Sequence, residues 1–323
     1  MARKLILDVD TGTDDAVAIM LAALHKDLDL VAVTTVNGNV PVEHCTDNSL
    51  RTLDWIGRSE IPVYEGCQHP IVRMDFPVPR AIKKDVKVHM SELPIPAPVS
   101  KKQDLSAPEY LAKAFREAKG DTTLVAVGPL TNLAAAIALD PKFVENVPEL
   151  VIMGGAVNKS NITESAEFNI WADPEAAAIV FEAGFKRIVL VPLDATHQAL
   201  VSLSQTRALR ALKTPAGTAS ADIIDYRISG YQTNQPTGTP ETAPVHDALC
   251  IAYLLHPEVI TLKHVNTVIE TKGEYTIGRT AVDHEFRTKR PKNSYVAFGA
   301  DRELFVKLLT DTFSQPHQSA TRA

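Results

Sequence analysis

Cysteine is scarce and badly spaced for a scaffold. Cys45, Cys67 and Cys250 form an odd set at wide separations, so neither a disulfide framework nor a CxxC zinc or redox motif is available, and a reducing interior is the simpler setting. Long apolar runs are missing too. No stretch approaches the roughly 20 apolar residues of a membrane helix; even the run from Leu124 to Leu139 is broken by Pro129, Thr131 and Asn132. At the N-terminus, Leu5-Ile-Leu meets Asp8 and Asp10 too soon to be a signal-peptide core. Charge of one sign is not in great excess. Against 39 Asp+Glu stand 33 Lys+Arg, a net charge of −6, which argues against a general nucleic-acid or membrane-surface binder. Neither an internal repeat nor an interdomain linker is visible. The expectation is one cytoplasmic domain over residues 1–323, with 314–323 a flexible tail.

What recurs is a short Val/Ile/Leu-rich run followed by a longer helical pattern, the alternation of βαβ units. Candidate buried strands are 4–9, 28–36, 123–127, 149–153 and 187–193. Ser106-Ala-Pro108-Glu109 and Asp173-Pro174-Glu175 each open a helix with a capping side chain, a proline near the first turn and an acid. Gly120 and Gly184 close those helices. After Val265, a run of Val, Thr and Ile, a Lys272-Gly273-Glu274 turn and then Tyr275-Thr-Ile-Gly278 read as an antiparallel hairpin. The predicted fold is α/β and Rossmann-like: a mostly parallel central sheet flanked by helices, with a small antiparallel addition near the C-terminus. The Pro- and charge-rich segment 70–102 and the polar segment 232–244 fit no element and read as long functional loops.

Chemistry concentrates in Asp8-Val-Asp10-Thr-Gly12-Thr-Asp14-Asp15, at the end of the first strand and the start of a helix over 16–25. No Lys or Arg occurs between Leu5 and His25. One acid can cap the helix, but four cannot, and their repulsion at the carboxyl edge of a sheet calls for a counter-charge. With no Cys or His nearby, a hard cation such as Ca²⁺ or Mg²⁺ is the economical choice; a solvated acidic turn is the plainer alternative. Further polar clusters also follow strands. Val127-Gly-Pro-Leu-Thr131-Asn132 is a turn in which Thr131 or Asn132 can cap the next helix. Met153-Gly154-Gly155 lets a ligand approach the backbone and leads to Asn158, Asn161 and Glu167-Phe-Asn169, donors and acceptors suited to hydroxyl groups or to ordinary loop hydrogen bonds. His246-Asp247 opens a helix, where Asp is commonplace as a cap.

Together with Thr35-Val-Asn37-Gly-Asn39, Val151-Ile-Met-Gly-Gly155, Asp173-Pro-Glu-Ala176 and Val245-His-Asp247, these stretches resemble the inosine-uridine-preferring nucleoside hydrolases, in the family's order and close to its spacing, from residue 4 to about 300. The resemblance implies an N-glycosyl hydrolase that splits ribonucleosides, purine or pyrimidine, into ribose and free base. It implies one Ca²⁺ per subunit held by Asp10, Asp15, Asp247 and the carbonyl of Val127. It assigns Asp14, Asn39 and Asn169 to the ribose hydroxyls, Asn161 and Glu167 to the 5′-hydroxyl, Met153 to the substrate wall, and Asp8 to orienting its neighbours. A homodimer or homotetramer is implied, with a small nucleoside as its ligand.

Elementary chemistry agrees with those roles. Breaking the N-glycosidic bond develops oxocarbenium character on ribose while water attacks the opposite face, and carboxylates suit that charge. Asp10 is the candidate general base and His246 the candidate general acid; His246 can instead merely orient Asp247. There are departures from the family pattern, in the first motif and in the loops where base preference lies. Thr11 stands where relatives often have Pro, and His89-Met-Ser-Glu-Leu-Pro94 lacks the glycines of the relatives' mobile loop. His89, Tyr226 and Tyr231 are candidates for contacting the leaving base, with packing as the alternative. Two rival readings remain: a haloacid-dehalogenase-type phosphatase, whose nucleophile motif is also a strand ending Asp-x-Asp-x-Thr, and a non-catalytic ribose-binding protein.

Overall fold

Strand β1 (Arg3–Val9) is buried from Leu5 onward, the near-continuous apolar signature of a parallel strand covered on both faces. Its side chains divide by the two-residue period. Leu5, Leu7 and Val9 join one apolar cluster, and Ile6 joins the other. The computed structural model describes residues 2–72, 88–118 and 120–315; residues 73–87 of the expected loop and 316–323 of the expected tail lie outside them.

The chain continues through α1 (Asp14–Leu24), β2 (Leu28–Thr35), α2 (Val42–Trp55), β3 (Val63–Glu65), α3 (Ala107–Glu117), β4 (Thr122–Ala126), α4 (Thr131–Leu139), α5 (Phe143–Asn146), β5 (Leu150–Met153), α6 (Phe168–Ala172), α7 (Pro174–Glu182) and β6 (Ile188–Val191). There follow α8 (Leu193–Thr196), β7 (Leu200–Ser202), α9 (Leu203–Ala211), α10 (Pro215–Asn234), β8 (Thr242–Pro244), α11 (His246–Leu255), β9 (Ile260–Val265), β10 (Thr267–Ile269), β11 (Thr280–Val282), β12 (Ser294–Ala300) and α12 (Arg302–Phe313). An eight-stranded sheet runs in the order β3-β2-β1-β4-β5-β6-β12-β9, parallel throughout except for the antiparallel β12–β9 pair. Helices α1, α9, α10, α11 and α12 contribute to the core on one face, and α3, α4, α5 and α7 to that on the other. Because β1 lies between β2 and β4, the chain switches direction there, and the crevice beyond the carboxyl ends of those strands is where such sheets place ligands.

The sequence expectation of a mostly parallel sheet with an antiparallel addition holds, with local corrections. Helix α1 begins at Asp14 rather than at residue 16, because two acids in a first turn suit the positive end of the helix dipole. Ser106 and Glu109 form a capping box on α3, and Asp173 caps α7 by accepting from the Ala176 amide at 3.0 Å. Gly120 and Gly184 both take positive φ after their helices. The late hairpin pairs β10 with β11, so its second strand lies beyond Tyr275–Gly278, which is turn. The polar stretch 232–244 is shorter as a loop than expected, since α10 extends to Asn234 and β8 begins at Thr242. Among the described residues no helix is long and apolar enough to cross a membrane.

Candidate active site

Four aspartates meet just beyond β1. Asp10, Asp14, Asp15 and Asp247 are all buried, and Asp14, Asp15 and Asp247 present carboxylate oxygens within 4.8 Å of one another. Asp15 turns back from α1 to the strand end. Its oxygens accept the amides of Asp10 at 3.0 Å and Gly12 at 3.3 Å. Asp10 accepts the Asn39 amide at 2.7 Å through Oδ2, while its buried Oδ1 has no hydrogen-bond partner among the described residues. Glycine is required at 38, where any Cβ would collide with the Asp10 carboxylate. Burial first, and the charge of Asp15 second, hold the Asp10 carboxyl well above the ordinary carboxylate range. Burial followed by Asp14 does the same to Asp247, and pushes Asp15 up to about 6. A nest of oxygen donors with an orphaned buried carboxylate oxygen fits a hard divalent cation.

The other predicted residues gather around this nest. The Asn39 side-chain amide reaches Asp15 at 3.4 Å. Asn169 donates to the carbonyls of Val127 at 2.8 Å and Met153 at 3.2 Å, so the ends of β4 and β5 are tied together at the site. Glu167 caps α6, accepting the amides of Gly155 at 2.8 Å, Asn169 at 2.9 Å and Ile170 at 3.3 Å; burial pushes its carboxyl up to about 7 against those bonds. Asn161 accepts the Phe168 amide at 2.9 Å, supporting the same turn. Asp8 sits behind Asp10, bonded by Thr34 and, at 2.8 Å, by Asn132; burial raises it to about 7. The expected capping roles at 131 and 132 are not observed. The Thr131 hydroxyl donates to Asp173 at 2.7 Å and Asn132 reaches Asp8, because both side chains turn across the strand ends rather than back onto α4. Asp247 likewise makes no cap bond on α11.

His246 is buried with both ring nitrogens engaged: Nε2 lies 2.7 Å from the Tyr231 hydroxyl and Nδ1 2.7 Å from the Thr196 hydroxyl. Burial and then the charge of Arg227 hold the imidazole well below its usual pKa. His89 packs over Gly12 and lies 3.1 Å from the Thr13 hydroxyl; burial, then Arg227, lowers its pKa to about 4. Tyr226, on the same helix as Tyr231, is only partly covered.

Three contributors escaped the sequence reading. Arg227 of α10 is wholly buried and pairs with Asp14 at 2.5 Å, so a counter-charge that the stretch from residue 5 to 25 lacks arrives from 213 positions away. Asn48 of α2 donates to the carbonyls of Thr11, Met90 and Ser91 and accepts the Leu93 amide, pinning the His89 segment to the end of β1. Thr196 ends α8 and holds His246. A signal for Arg227 existed: a charged residue on the same helical face as Ile223, Ile224, Ile228 and Tyr231.

Comparison with known proteins agrees with this geometry. The family model described as inosine-uridine preferring nucleoside hydrolase matches residues 5–307. The pyrimidine-specific ribonucleoside hydrolase RihA of Escherichia coli O1:K1 / APEC is 38% identical over 315 residues, covering 96% of this chain and 98% of the relative. Among solved structures, a purine-preferring ribonucleoside hydrolase from Gardnerella vaginalis superposes with a TM-score of 0.86 at 32% identity, covering 96% of this chain and 98% of the other. The plant nucleoside hydrolase PpNRh1 superposes with a TM-score of 0.87 at 29% identity, covering 98% and 100%.

Proposed function

This chain belongs to the inosine-uridine preferring nucleoside hydrolase family, and from that premise we propose how its acidic nest cleaves a ribonucleoside. The observation that carries the reading is the buried aspartate cluster, together with the unpartnered Asp10 Oδ1 and the pairing of His246, the neighbour of Asp247 in sequence, with Tyr231.

Asp10, Asp15, Asp247 and the Val127 carbonyl would hold one Ca²⁺ per subunit. When bound there, calcium supplies a Lewis acid that fixes vicinal ribose hydroxyls and acidifies water. Asp14, Asn39 and Asn169 receive the ribose hydroxyls, and Asn161 and Glu167 receive the 5′-hydroxyl. Glu167 already accepts backbone amides, but a carboxylate has about four lone-pair sites and retains capacity. As the C1′–N bond breaks, its electron pair leaves with the base, and the surrounding carboxylates stabilise the positive charge left on the sugar. Water forms the new C1′–O bond and loses its proton to Asp10 Oδ1. The base takes up a proton from the His246–Tyr231 pair, whose atoms are close enough to share one. Asp8 keeps Asp10 in place, Met153 walls the sugar side, and His89 stands over the entrance. Pyrimidine ribonucleosides are the first candidates for substrate, on the strength of the RihA relationship. The family resemblance supports a cytoplasmic homodimer or homotetramer, and sedimentation equilibrium tests the assembly.

A steady-state panel of uridine, cytidine, inosine, adenosine and guanosine, read as free ribose and free base with and without calcium, tests the proposal. Ribose release that needs calcium is expected. Phosphate release from nucleotides without ribose release from nucleosides would move the protein to the phosphatase reading. Calcium-dependent nucleoside binding without turnover would make it a binding protein.

A further inference from the structure

Arg227 is the one positive charge found inside the acidic nest among the described residues, and its contacts are selective. Its Nη1 donates to Asp14 Oδ1 at 2.5 Å and to the Thr13 hydroxyl at 2.7 Å, its Nε donates to the Pro244 carbonyl at 3.1 Å, and the guanidinium lies 5.4 Å from the centre of the Tyr231 ring. The second oxygen of Asp14 accepts the His246 amide at 3.2 Å. No hydrogen bond joins Arg227 to Asp10, Asp15 or Asp247. Proximity alone would nevertheless make Asp14 a cation ligand, since its oxygen lies within 4.8 Å of those of Asp15 and Asp247. A guanidinium buried this deeply is costly unless matched by a carboxylate, and a carboxylate so matched is a poor ligand for a second cation.

We propose that Arg227 sorts the four aspartates: by pairing with Asp14 it keeps that carboxylate out of cation coordination and holds it as the acceptor for a ribose hydroxyl, leaving the cation to the remaining three. Arg227 is a positioning residue that acts through Asp14. The inference rests on the reading of this site as the cation-dependent sugar site of a nucleoside hydrolase. Without Arg227, Asp14 is free to swing onto the cation. The cation is then held more tightly and the sugar more weakly.

The experiment titrates calcium alone into the chelator-treated full chain by calorimetry, for the parent, R227M, R227Q, R227K and D14N, and measures kcat and KM on the best nucleoside of the panel. For R227M and R227Q we expect calcium to bind about tenfold more tightly and KM to rise about tenfold with kcat changed less than about threefold. R227K, which keeps the charge, and D14N, which removes a residue placed outside the ligand set, should bind calcium within about threefold of the parent. D14N needs no change at 227, so it tests whether Asp14 is a ligand even if R227M and R227Q fail to fold, and R227K then tests the part played by Arg227. Loss of calcium affinity in D14N by more than about tenfold would make Asp14 a ligand and overturn the inference alone. Unchanged calcium affinity and KM in folded R227M would overturn it as well, leaving Arg227 a helix anchor. A parent chain that neither binds calcium nor releases ribose would overturn the reading of the site, and the inference with it.

Discussion

At the scale of single residues, the site is a set of acids whose burial sets their chemistry. Asp10 Oδ1 is buried and has no hydrogen-bond partner among the described residues, so Asp10→Asn should fold normally while kcat falls about 10²–10⁴-fold, as for loss of a general base. Turnover within a few-fold of the parent would remove Asp10 from the mechanism. Glu167 gives a separate expectation for stability. Its carboxyl titrates near 4.5 when unfolded and about 7 when folded, chiefly because it is buried. A carboxyl raised in this way holds its proton more tightly in the folded state, so its contribution is whole below pH 4.5 and is lost as pH rises through about 7. A shift of this size corresponds to about 3 kcal/mol. Glu167→Gln should therefore flatten the fall in Tm between those limits, measured in chelator; parallel Tm–pH curves for parent and variant would refute it.

Elements deliver these residues, and here the sequence was legible to different depths. The acids at the end of β1 and the helix starts at Ser106 and Asp173 could be read because each signal lies within a few neighbouring residues. Capping by Thr131 or Asn132 was a reasonable local inference that failed because their side chains have better partners across the sheet, in Asp173 and Asp8. The counter-charge was missed for the same kind of reason: periodicity along α10 marks a buried face but does not say which distant element that face meets. Asn48 shows the point for a loop. The segment bearing His89 lacks glycines, and its placement depends on an amide in α2 more than 40 residues earlier. Asn48→Ala should leave buried backbone groups without partners and cost about 1–3 kcal/mol in urea unfolding, with KM rising as the segment loosens. Wild-type stability and KM would show that the segment is held by other contacts.

At the scale of the whole molecule, two apolar clusters on the faces of one sheet carry most of the burial, and the polar nest sits at the edge of one of them, where β1, α1 and α11 already pack together. Asp10 follows the first strand, Asp15 lies in the first helix, and Asp247 comes from α11, about three quarters of the way along the chain. A cation at 100 times its dissociation constant adds about 2.7 kcal/mol to the folded state, so calcium should raise Tm in chelated protein; an unchanged Tm at saturating calcium would argue against a site in this nest. Drawing the ligands from segments far apart in the sequence also makes the ion a clasp. When it is stripped away, limited proteolysis should nick first in the exposed segment 236–241 between α10 and β8, before the central sheet opens. Starvation for the metal would then mark this protein for degradation as well as silencing it.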